Sequence, residues 1–413
     1  MSISDAQLIQ LRSFAQTDVG RVRQNNEDAF LCEPALGLFA VADGMGGHAG
    51  GEVASAMAMS ALRRAMLAAP DQAFLADPSL DHRRALLGFL SRTVSDINAE
   101  IFARGNSDPK LRGMGCTIDV ALIRGRSLFI AHVGDSRVYG LLGGTVYQLT
   151  EDHTFGQTLL SGGALTPDEV KVHPQRNLLM RALGVYPKVE VDTAYLDIAP
   201  GDVFMLCSDG VHGLVSSGLI EQALQVPSET AAQTLIRAAL DAGGRDNATA
   251  VVVQIASCGE CQSIRVGSEE VRRAMASASL FSNFTHAELL RIQQVAMGRM
   301  VAKDEWIFRQ DELVSDIYLV IDGATSVWNG EVRVGWHGPG DPFGELSLYA
   351  APSLIGIKTD QTTRLLIFPL SEVQKLIRTD TAIGAKLAMN ALQRVWQRFQ
   401  QIAGQVARLR AAK

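Results

Sequence analysis

Four aspartates share one kind of position, at the end or the start of a short apolar run rich in β-forming residues: Asp43 after LGLFAVA, Asp135 after SLFIAHVG, Asp209 after DVFMLCS and Asp246 before ATAVVVQI. A buried strand does not accept an unpaired carboxylate, because desolvating the charge costs several kcal/mol. At a strand tip the side chain can instead point into a cleft. One Asp-Gly after a strand is usually a hairpin turn. Four such acids, with Glu27 and Asp28 near another strand start, predict a shared carboxylate site.

The chemistry of such a site follows from its oxygen ligands. Carboxylates gathered in one cleft raise one another's pKa unless a cation neutralises them, and an all-oxygen ligand set favours Mg²⁺ or Mn²⁺ over zinc or copper. Two such ions roughly 3.5–4 Å apart can bind a bridging water and deprotonate it at neutral pH. Arg23, four residues before Glu27, suits bidentate capture of a phosphate monoester, although a surface salt bridge is the alternative. Together these features predict metal-assisted hydrolysis of a phosphoester.

The net charge of −6 is unevenly distributed. Residues 1–256 carry 20 Lys and Arg against 28 Asp and Glu, a net charge of −8, whereas residues 257–413 carry 18 against 16, a net charge of +2. A protein that coats nucleic acid needs a clear basic excess for its phosphate contacts, so that class is excluded. We expect bound metal to offset part of the acidic excess.

The sequence predicts a cytoplasmic protein. Its first residues, MSISDAQLIQLRS, lack the basic start and apolar core of a signal peptide, and no apolar run approaches the 18 or so residues that span a bilayer. Five cysteines are too few for a disulfide framework. Cys258 and Cys261 form a lone C-x-x-C, which we interpret as an exposed linker, because a structural zinc site needs four ligands.

A rival interpretation concerns residues 44–49, GMGGHA, which fit the dinucleotide fingerprint G-x-G-x-x-G/A. Asp43 would place a negative charge beside the pyrophosphate, and no acid ends a second strand about 20 residues further on. We therefore reject a dinucleotide site. These glycines are expected to allow close backbone approach and positive φ angles around a metal.

Eight segments between residues 14 and 255 resemble, in order, the metal-dependent Ser/Thr protein phosphatases of the PP2C (PPM) type: TDVGRVRQNNEDAF, FAVADGMGGHAGGEVAS, MGCTIDVALI, LFIAHVGDSRVY, LTEDHT, HPQRNLLMRALG, GDVFMLCSDGVHGLV and GGRDNATAVVV. DGMGG, in place of the eukaryotic DGHGG, is similar to the bacterial branch. The resemblance implies an α+β fold, an αββα sandwich in which helices flank two central antiparallel sheets.

The resemblance also implies two Mn²⁺ or Mg²⁺ ions and a third, weaker one. The residues that would hold them are Asp43 as a bridge between the two ions, the Gly44 carbonyl on one ion, Asp209 and Asp246 on the other, Asp135 on the third ion, and Glu27 and Asp28 through bound waters. Arg23 would bind the substrate phosphate. The mechanism implied is direct attack by a metal-bridging hydroxide, without a phosphoenzyme.

The sequence departs from the eukaryotic pattern at Met45, where those proteins carry a His proposed as general acid. His48 is near in sequence but lies in a glycine-rich loop, so we assign no residue to this role; a metal-bound water could serve. Residues 155–176 match the flap of bacterial members, to which substrate selection is credited, and its few charges indicate no sequence preference.

Residues 280–370 resemble the cyclic-nucleotide-binding β-roll, in LFSNFTHAELLRI, DIYLVIDGATSVW and GPGDPFGELSLY. Glu345 matches the Glu that binds the ribose hydroxyl and is a candidate effector-binding residue. Ser353 stands where the family has the Arg for the cyclic phosphate, which removes a charge-assisted contact of about 1.5–3 kcal/mol. Lys358 or Arg364 could compensate only in part, because Lys lacks a bidentate fork. Cyclic nucleotide binding is therefore disfavoured, and a degenerate roll used for dimerisation or docking is preferred.

The C-terminal tail predicts a coiled-coil seam. Seven apolar residues recur at spacings of four and three: Ala388, Leu392, Val395, Phe399, Ile402, Val406 and Leu409. Residues 381–413 hold six basic residues and no acid. A homodimer is the preferred interpretation. The alternatives are a helix packed on its own domain and a basic helix for a membrane surface or another partner.

These observations divide the chain into a phosphatase domain at 1–256, a linker at 257–270, a β-roll at 271–380 and a basic amphipathic helix at 381–413. The predicted enzyme is an Mg/Mn-dependent protein serine/threonine phosphatase. Its partners would be a phosphorylated protein and the cognate Ser/Thr kinase. The alternative is a phosphoprotein-binding scaffold with little turnover.

Overall fold

The computed structural model describes residues 9–46, 50–68, 80–162, 164–257, 268–314, 316–345 and 352–411. The chain divides into two compact units, residues 1–262 and 263–413. Each unit is described by itself.

The strands of the first unit are β1 (Gln10–Asp18), β2 (Asp28–Glu33), β3 (Leu38–Met45), β4 (Gly115–Cys116), β5 (Ile118–Arg124), β6 (Ser127–Val133), β7 (Arg137–Leu142), β8 (Thr145–Gln148), β9 (Asp192–Asp197), β10 (Val203–Cys207) and β11 (Ala248–Ser257). Its helices are α1 (Gly50–Ala68), α2 (Leu80–Ser107), α3 (Phe155–Ser161), α4 (Pro167–Val172), α5 (Asp209–His212), α6 (Ser217–Ala223) and α7 (Ser228–Asp241).

Two antiparallel sheets form the centre of this unit. One has the order β1-β11-β10-β7-β8 and the other the order β2-β3-β5-β6-β9, with β4 paired to β3. Helices α1 and α2 cover the second sheet, α7 covers the first, and β2 packs against β1 and β11 between the sheets. The expected αββα sandwich is confirmed.

Strand β3 shows why these residues form a buried sheet. Leu38, Ala40 and Ala42 alternate on one face and pack under α1 and α2 with Leu62 and Leu90. Successive side chains of a strand point to opposite faces, so the intervening residues of β3 face the other sheet. Because both faces are covered, the strand is apolar along its length rather than alternating.

The prediction that the strand ends at Asp43 is wrong. Strand β3 continues to Met45, because Gly44 and Met45 pair with Cys116 and Gly115 of β4. Asp43 therefore lies inside the ladder, directly opposite Asp28 of β2. The other predicted acids do flank elements: Asp135 lies between β6 and β7, and Asp209 begins α5, separated from β10 by Ser208 alone.

The second unit contains the helices α8 (Ser268–Ser277), α9 (His286–Gln293), α10 (Leu370–Thr379) and α11 (Thr381–Ala411). Its strands are β12 (Met297–Val301), β13 (Trp306–Phe308), β14 (Asp316–Asp322), β15 (Thr325–Asn329), β16 (Val332–His337), β17 (Pro342–Phe343), β18 (Gly356–Thr359) and β19 (Thr363–Pro369). They form two four-stranded sheets, β12-β19-β14-β17 and β13-β18-β15-β16. A β domain followed by a long helix is therefore confirmed.

The first half of α11 packs on this unit through both apolar and polar side chains. Ile383, Leu387 and Ala391 enter the apolar core beside α8 and β19. Asn390 donates to the carbonyls of Leu280 and Ser282, at 2.9 Å each. The helix thus makes directional polar contacts inward as well as apolar ones.

The other face of α11 is apolar and exposed within this chain. Leu392 and Trp396 are each 57% exposed and Phe399 is 60% exposed. Of the predicted seam, Ala388, Leu392, Val395 and Phe399 are all exposed, whereas the side chains of residues 402, 406 and 409 lie outside the described part of the chain. No helix among the described residues combines the length and the apolar character that a membrane span requires.

Candidate active site

Asp28 and Asp43 form the centre of the site, facing each other across the β2–β3 ladder. The Asp43 amide donates to the Thr117 hydroxyl at 2.9 Å, which fixes the main chain at that point. Burial, followed by the charges of Asp28, Asp209, Asp135 and Asp246, raises the pKa of Asp43 well above its usual value. Concentrated negative charge in a buried place favours a cation.

One carboxylate oxygen of Asp28 accepts two hydrogen bonds, whereas the other has no hydrogen-bond partner. Its Oδ2 accepts hydrogen bonds from the Ser208 hydroxyl at 2.7 Å and the Thr249 hydroxyl at 2.6 Å. Its Oδ1 is buried and has no hydrogen-bond partner. Burial raises the pKa of Asp28 to about 7, although both hydroxyls oppose the shift. An orphaned carboxylate oxygen is costly unless a ligand satisfies it.

Asp209 and Asp246 come together because two turns make close backbone contact. A Cβ on Gly210 would overlap the carbonyl oxygen of Asn247, so only glycine permits this approach. Burial, and then the charge of Asp246, raise the pKa of Asp209, and the charge of Asp209 in turn contributes to the raised pKa of Asp43. Three of the predicted metal acids are thereby neighbours.

Asn247 holds the loop that carries Arg23. Its amide donates to the carbonyls of Val19 and Asn25 at 2.9 Å, and its oxygen accepts from the Glu27 amide at 2.8 Å. The sequence analysis did not identify this role. The available signal was its position next to the predicted metal acid Asp246.

Arg23 lies at the mouth of the site with its guanidinium half exposed. Its Nη2 donates to Asp246 Oδ2 at 2.8 Å. That hydrogen bond and the negative charge of Asp246 raise the pKa of Arg23, with further contributions from Glu27 and Asp43. The salt bridge considered as an alternative thus exists, and it is made to a predicted metal ligand.

Gly44 lies where two backbone segments meet. A Cβ there would overlap the carbonyl of Gly51 and come within 2.5 Å of the Glu27 carbonyl oxygen. A Cβ on Gly51 would lie 2.8 Å from the Glu27 carboxyl carbon. Burial raises the pKa of Glu27. Gly44 and Gly51 thus allow the Glu27 side chain and the Gly44 main chain to lie close together.

Asp135 lies on a turn beside the same cluster. Burial, and then the charges of Asp209 and Asp152, raise its pKa to about 7. The turn begins at Gly134, whose φ of +121° is one that L side chains rarely adopt. The Asp135 carboxylate is therefore within electrostatic reach of Asp209, as a third-ion site requires.

The chemical type of the donor atoms at this site suits divalent cations. All are carboxylate or carbonyl oxygens, and the buried Oδ1 of Asp28 lacks a partner, which suits Mg²⁺ or Mn²⁺ with waters in the coordination shell. In the described ranges, no three His, Cys, Asp or Glu side chains form a cage that could hold an ion by themselves. Main-chain and water ligands are thus needed to complete any ion's coordination.

The predicted flap contains α3 and α4. Helix α3 is tied to the residues before it, since Gln157 and Ser161 both donate to Glu151 Oε1, at 2.6 and 2.7 Å. Val172 at the end of α4 is 80% exposed. Met45 lies in β3, whereas His48, Cys258 and Cys261 lie outside the described residues.

In the second unit, Glu345 is only 1% exposed and contacts Arg394 of α11, with 3.5 Å between Oε1 and Nε. Arg394 also donates to the Pro342 carbonyl at 2.8 Å and to the Ser279 hydroxyl. The resemblance assigned the Glu345 carboxylate to a nucleotide ribose, but Arg394 of the same chain contacts it instead. This contact was not expected from the sequence.

The residues near the missing phosphate-binding Arg have local partners. The Ser353 hydroxyl donates to the Ile355 carbonyl at 2.8 Å. Lys358 pairs with Asp304 at 3.1 Å, and Arg364 Nε lies 3.7 Å from Asp322. Each of these candidate phosphate ligands is therefore engaged with a partner of its own.

Comparisons with known proteins agree with this description. The family model for protein phosphatase 2C matches residues 17–250, more than half of the chain, and the model for the cyclic nucleotide-binding domain matches residues 299–380. The chain is 42% identical over 262 residues to the serine/threonine protein phosphatase PstP of Mycobacterium tuberculosis, a match covering 62% of this chain and 48% of that protein. The chain thus spans about half the length of that relative.

Two further similarities cover nearly all of the protein compared. The serine/threonine phosphatase stp of Listeria innocua is 36% identical over 244 residues, 58% of this chain and 94% of its own length. A crystal structure of M. tuberculosis PstP/Ppp matches with a TM-score of 0.54 and 41% identity, covering 60% of this chain and 99% of that one.

A second PstP structure, its catalytic domain in complex with two manganese ions, matches with a TM-score of 0.51 and 40% identity over 59% of this chain and 97% of that one. With the fold, the site and a family model matching most of its first unit, the chain belongs to the protein phosphatase 2C family.

Proposed function

We propose that the protein is an Mn²⁺- or Mg²⁺-dependent phosphatase that hydrolyses phosphoserine and phosphothreonine on proteins. The observation that carries the proposal is the Asp28–Asp43 pair, with one buried carboxylate oxygen unsatisfied and Asp209 alongside. Similarity to PstP, whose catalytic domain is known with two manganese ions, supports the same conclusion.

The carboxylates divide the work of holding cations. Asp43 would hold both ions, the Gly44 carbonyl would hold one, Asp209 and Asp246 would hold the other, and Asp135 would hold a third, weaker ion. Glu27 and Asp28 would hold waters that are bound to the ions. When bound, the ions supply Lewis acidity and activate water for direct attack on phosphorus.

Arg23 binds and orients the phosphate. Its guanidinium is half exposed at the mouth of the site and already contacts a carboxylate at 2.8 Å, so it is placed to accept an anion. A planar guanidinium can engage two phosphate oxygens at once and hold the group in line for attack. Met45 carries no titratable proton, so protonation of the departing serine or threonine oxygen is not assigned to that position.

The decisive test is phosphate release from a phosphothreonine peptide by the full chain in Mn²⁺. We expect turnover in the wild type and its collapse in D43N and D209N, with E345Q, in the other unit, as a matched carboxylate control. Unchanged turnover in both aspartate variants would refute the site. Calorimetry that shows phosphopeptide binding without turnover in saturating Mn²⁺ would favour the phosphoprotein-binding scaffold.

For the second unit, we propose a degenerate roll that joins two copies through α11. The support is the exposed seam of α11 and the contact between Glu345 and Arg394, which disfavours a nucleotide ribose at Glu345. Thermal shift with cyclic AMP and cyclic GMP tests the ligand: saturating ligand at 100 times its Kd adds about 2.7 kcal/mol of stability. We expect no shift.

The remaining partners follow from the proposed activity, and the cytoplasm is the compartment that the sequence predicts. The substrate would be a phosphorylated protein and its counterpart the cognate Ser/Thr kinase, both in the cytoplasm. Substrate trapping with D209N in a lysate of the source cells, followed by identification of the retained phosphoproteins, tests this assignment. Recovery of no phosphoprotein above the level retained by the D43N/D209N double variant would count against it.

A further inference from the structure

His212 connects two parts of the site that the fold brings together from distant positions in the chain. It is the last residue of the four-residue helix α5, whose first residue is Asp209. Its Nε2 lies 2.8 Å from the main-chain carbonyl oxygen of Asp135. Because a carbonyl can only accept a hydrogen bond, Nε2 is the protonated ring nitrogen.

The turn that His212 contacts is held on another side by a second histidine. The His153 amide donates to the Gly134 carbonyl at 2.7 Å, and the Gly134 amide donates to His153 Nδ1 at 3.1 Å. Gly134 is packed so tightly on Thr117 that a Cβ at this position would lie 2.6 Å from the Thr117 Cβ. The hydrogen bond from His212 therefore acts on a turn whose preceding residue is already fixed.

The consequence concerns the distance between two carboxylates. Asp209 and His212 are separated by less than one turn of α5, and the Asp135 carboxylate belongs to the residue whose carbonyl His212 holds. The charge of Asp209 contributes to the raised pKa of Asp135, so the two carboxylates interact. The hydrogen bond from His212 holds the Asp135 main chain against α5. It therefore fixes the position that a cation between the carboxylates of Asp135 and Asp209 can take.

We propose that His212 is a positioning residue for the third cation: it holds the Asp135 turn against the Asp209 helix and thereby sets the affinity of the weak ion. This inference rests on the proposed function, which assigns Asp135 to that ion. His212 itself touches neither ion nor substrate in this role. An ion with one protein carboxylate of its own depends strongly on where that carboxylate is held.

The test is Mn²⁺ binding by calorimetry on the full chain, which requires no turnover. In H212L the side chain is similar in size but has no donor, and we expect the Kd of the weakest ion to rise roughly 3- to 10-fold, with the two tighter ions unchanged. H212Q can place an amide N–H near the position of Nε2 and should restore the Kd to within about twofold of wild type. If H212L does not fold, H212N replaces it, because its shorter amide cannot reach the carbonyl.

Several outcomes would overturn the proposal. One is wild-type affinity for the weak ion in H212L or H212N, and another is an equal loss in H212Q and H212L, which would indicate a merely structural histidine. A D135N variant that binds as many ions as the wild type, or a wild type that binds only two, would remove the third ion and this role with it. The D43N and D209N turnover test of the proposed function would stand apart from either result.

Discussion

The guanidinium of Arg23 and the carboxylate of Asp246 lie 2.8 Å apart, although 223 positions separate them in the sequence. Our proposal gives these groups different tasks, phosphate for Arg23 and a metal ion for Asp246. The contact between the two groups therefore competes with phosphate binding to Arg23 and with metal binding to Asp246. Removing Arg23 should affect substrate binding more than metal binding.

We predict that R23K raises KM for a phosphothreonine peptide about tenfold, or about 1.4 kcal/mol, because an ammonium cannot form the bidentate contact. The effect on kcat should be smaller. Initial rates at saturating Mn²⁺ over a range of peptide concentrations measure both. R21K is the matched control, since Arg21 pairs at 3.2 Å with Asp241 instead; an equal rise in KM in both variants would contradict the assignment.

The buried acids predict how stability varies with pH in the absence of metal. Burial raises the pKa of Asp28 and Asp135 to about 7, and it raises the pKa of Asp43 well above its usual value. Up to about pH 7, the folded state therefore binds more protons than the unfolded state, so the free energy of unfolding falls as the pH rises. Below about pH 6.5, His153 and His212 offset this trend, because burial lowers the pKa of each to about 4.

In EDTA, the free energy of unfolding of the first unit should therefore fall by about 1–3 kcal/mol between pH 6.5 and 8. His132 adds to the fall at the upper end: burial opposes its protonation, but Asp119 raises its pKa to about 9. Urea titrations followed by far-UV circular dichroism at a series of pH values measure the slope. D28N should flatten it, and Mn²⁺ should stabilise the protein more at pH 8 than at pH 6.5; a flat profile in the wild type would contradict the burial of these charges.

The contact between Arg394 and Glu345 predicts the stability of the second unit. R394A leaves a nearly fully buried carboxylate without its guanidinium partner, which should cost about 1–3 kcal/mol. The R394M/E345Q double variant should recover part of the loss, because no buried charge remains unpaired.

Tryptophan fluorescence makes the measurement specific, because Trp306, Trp328, Trp336 and Trp396 all lie in the second unit. Urea unfolding of the full chain followed at these residues should show the loss in R394A, while phosphatase turnover is unaffected. R378A, which replaces an exposed arginine of α10, is the control. Wild-type stability in R394A would show that the contact contributes nothing.

The exposed face of α11 predicts an oligomeric state. We expect light scattering to report a dimer for the full chain and a monomer for the L392E/F399E variant, because charges in an apolar seam are costly to desolvate. Q393E adds one negative charge beside the seam instead of two within it and should remain dimeric. A monomeric wild type would refute the dimer.

Much of the site could be read from the sequence because its acids adjoin strongly apolar runs. The family motifs around Asp43, Asp209 and Asp246 predicted both the sandwich and the residues that meet in it. The end of β3 was misplaced because an apolar run shows where a strand is buried, not where its ladder stops. Pairing with β4, a partner 70 residues away, extends the strand past Asp43.

The contacts that could not be predicted are those between polar side chains that are distant in the sequence. Ser208 and Thr249 reach Asp28 across 180 and 221 positions, and no periodic pattern marks them. Arg394 reads as one of six basic residues on a helical tail, yet it contacts Glu345. Hydropathy patterns identify the faces of elements, but the choice of polar partners depends on the assembled fold.

The last strand of the catalytic unit lies in the middle of its sheet. Strand β11 is hydrogen-bonded to β1 on one side and to β10 on the other, and Asp246 and Asn247 come immediately before it. During synthesis, strand β1 therefore cannot take its place in this sheet until β11 has also been made. Asp246, the last of the proposed metal acids along the chain, and β11, the strand that joins the sheet, are made one directly after the other, so under the proposed function the site and its sheet would be completed together, before the second unit is made.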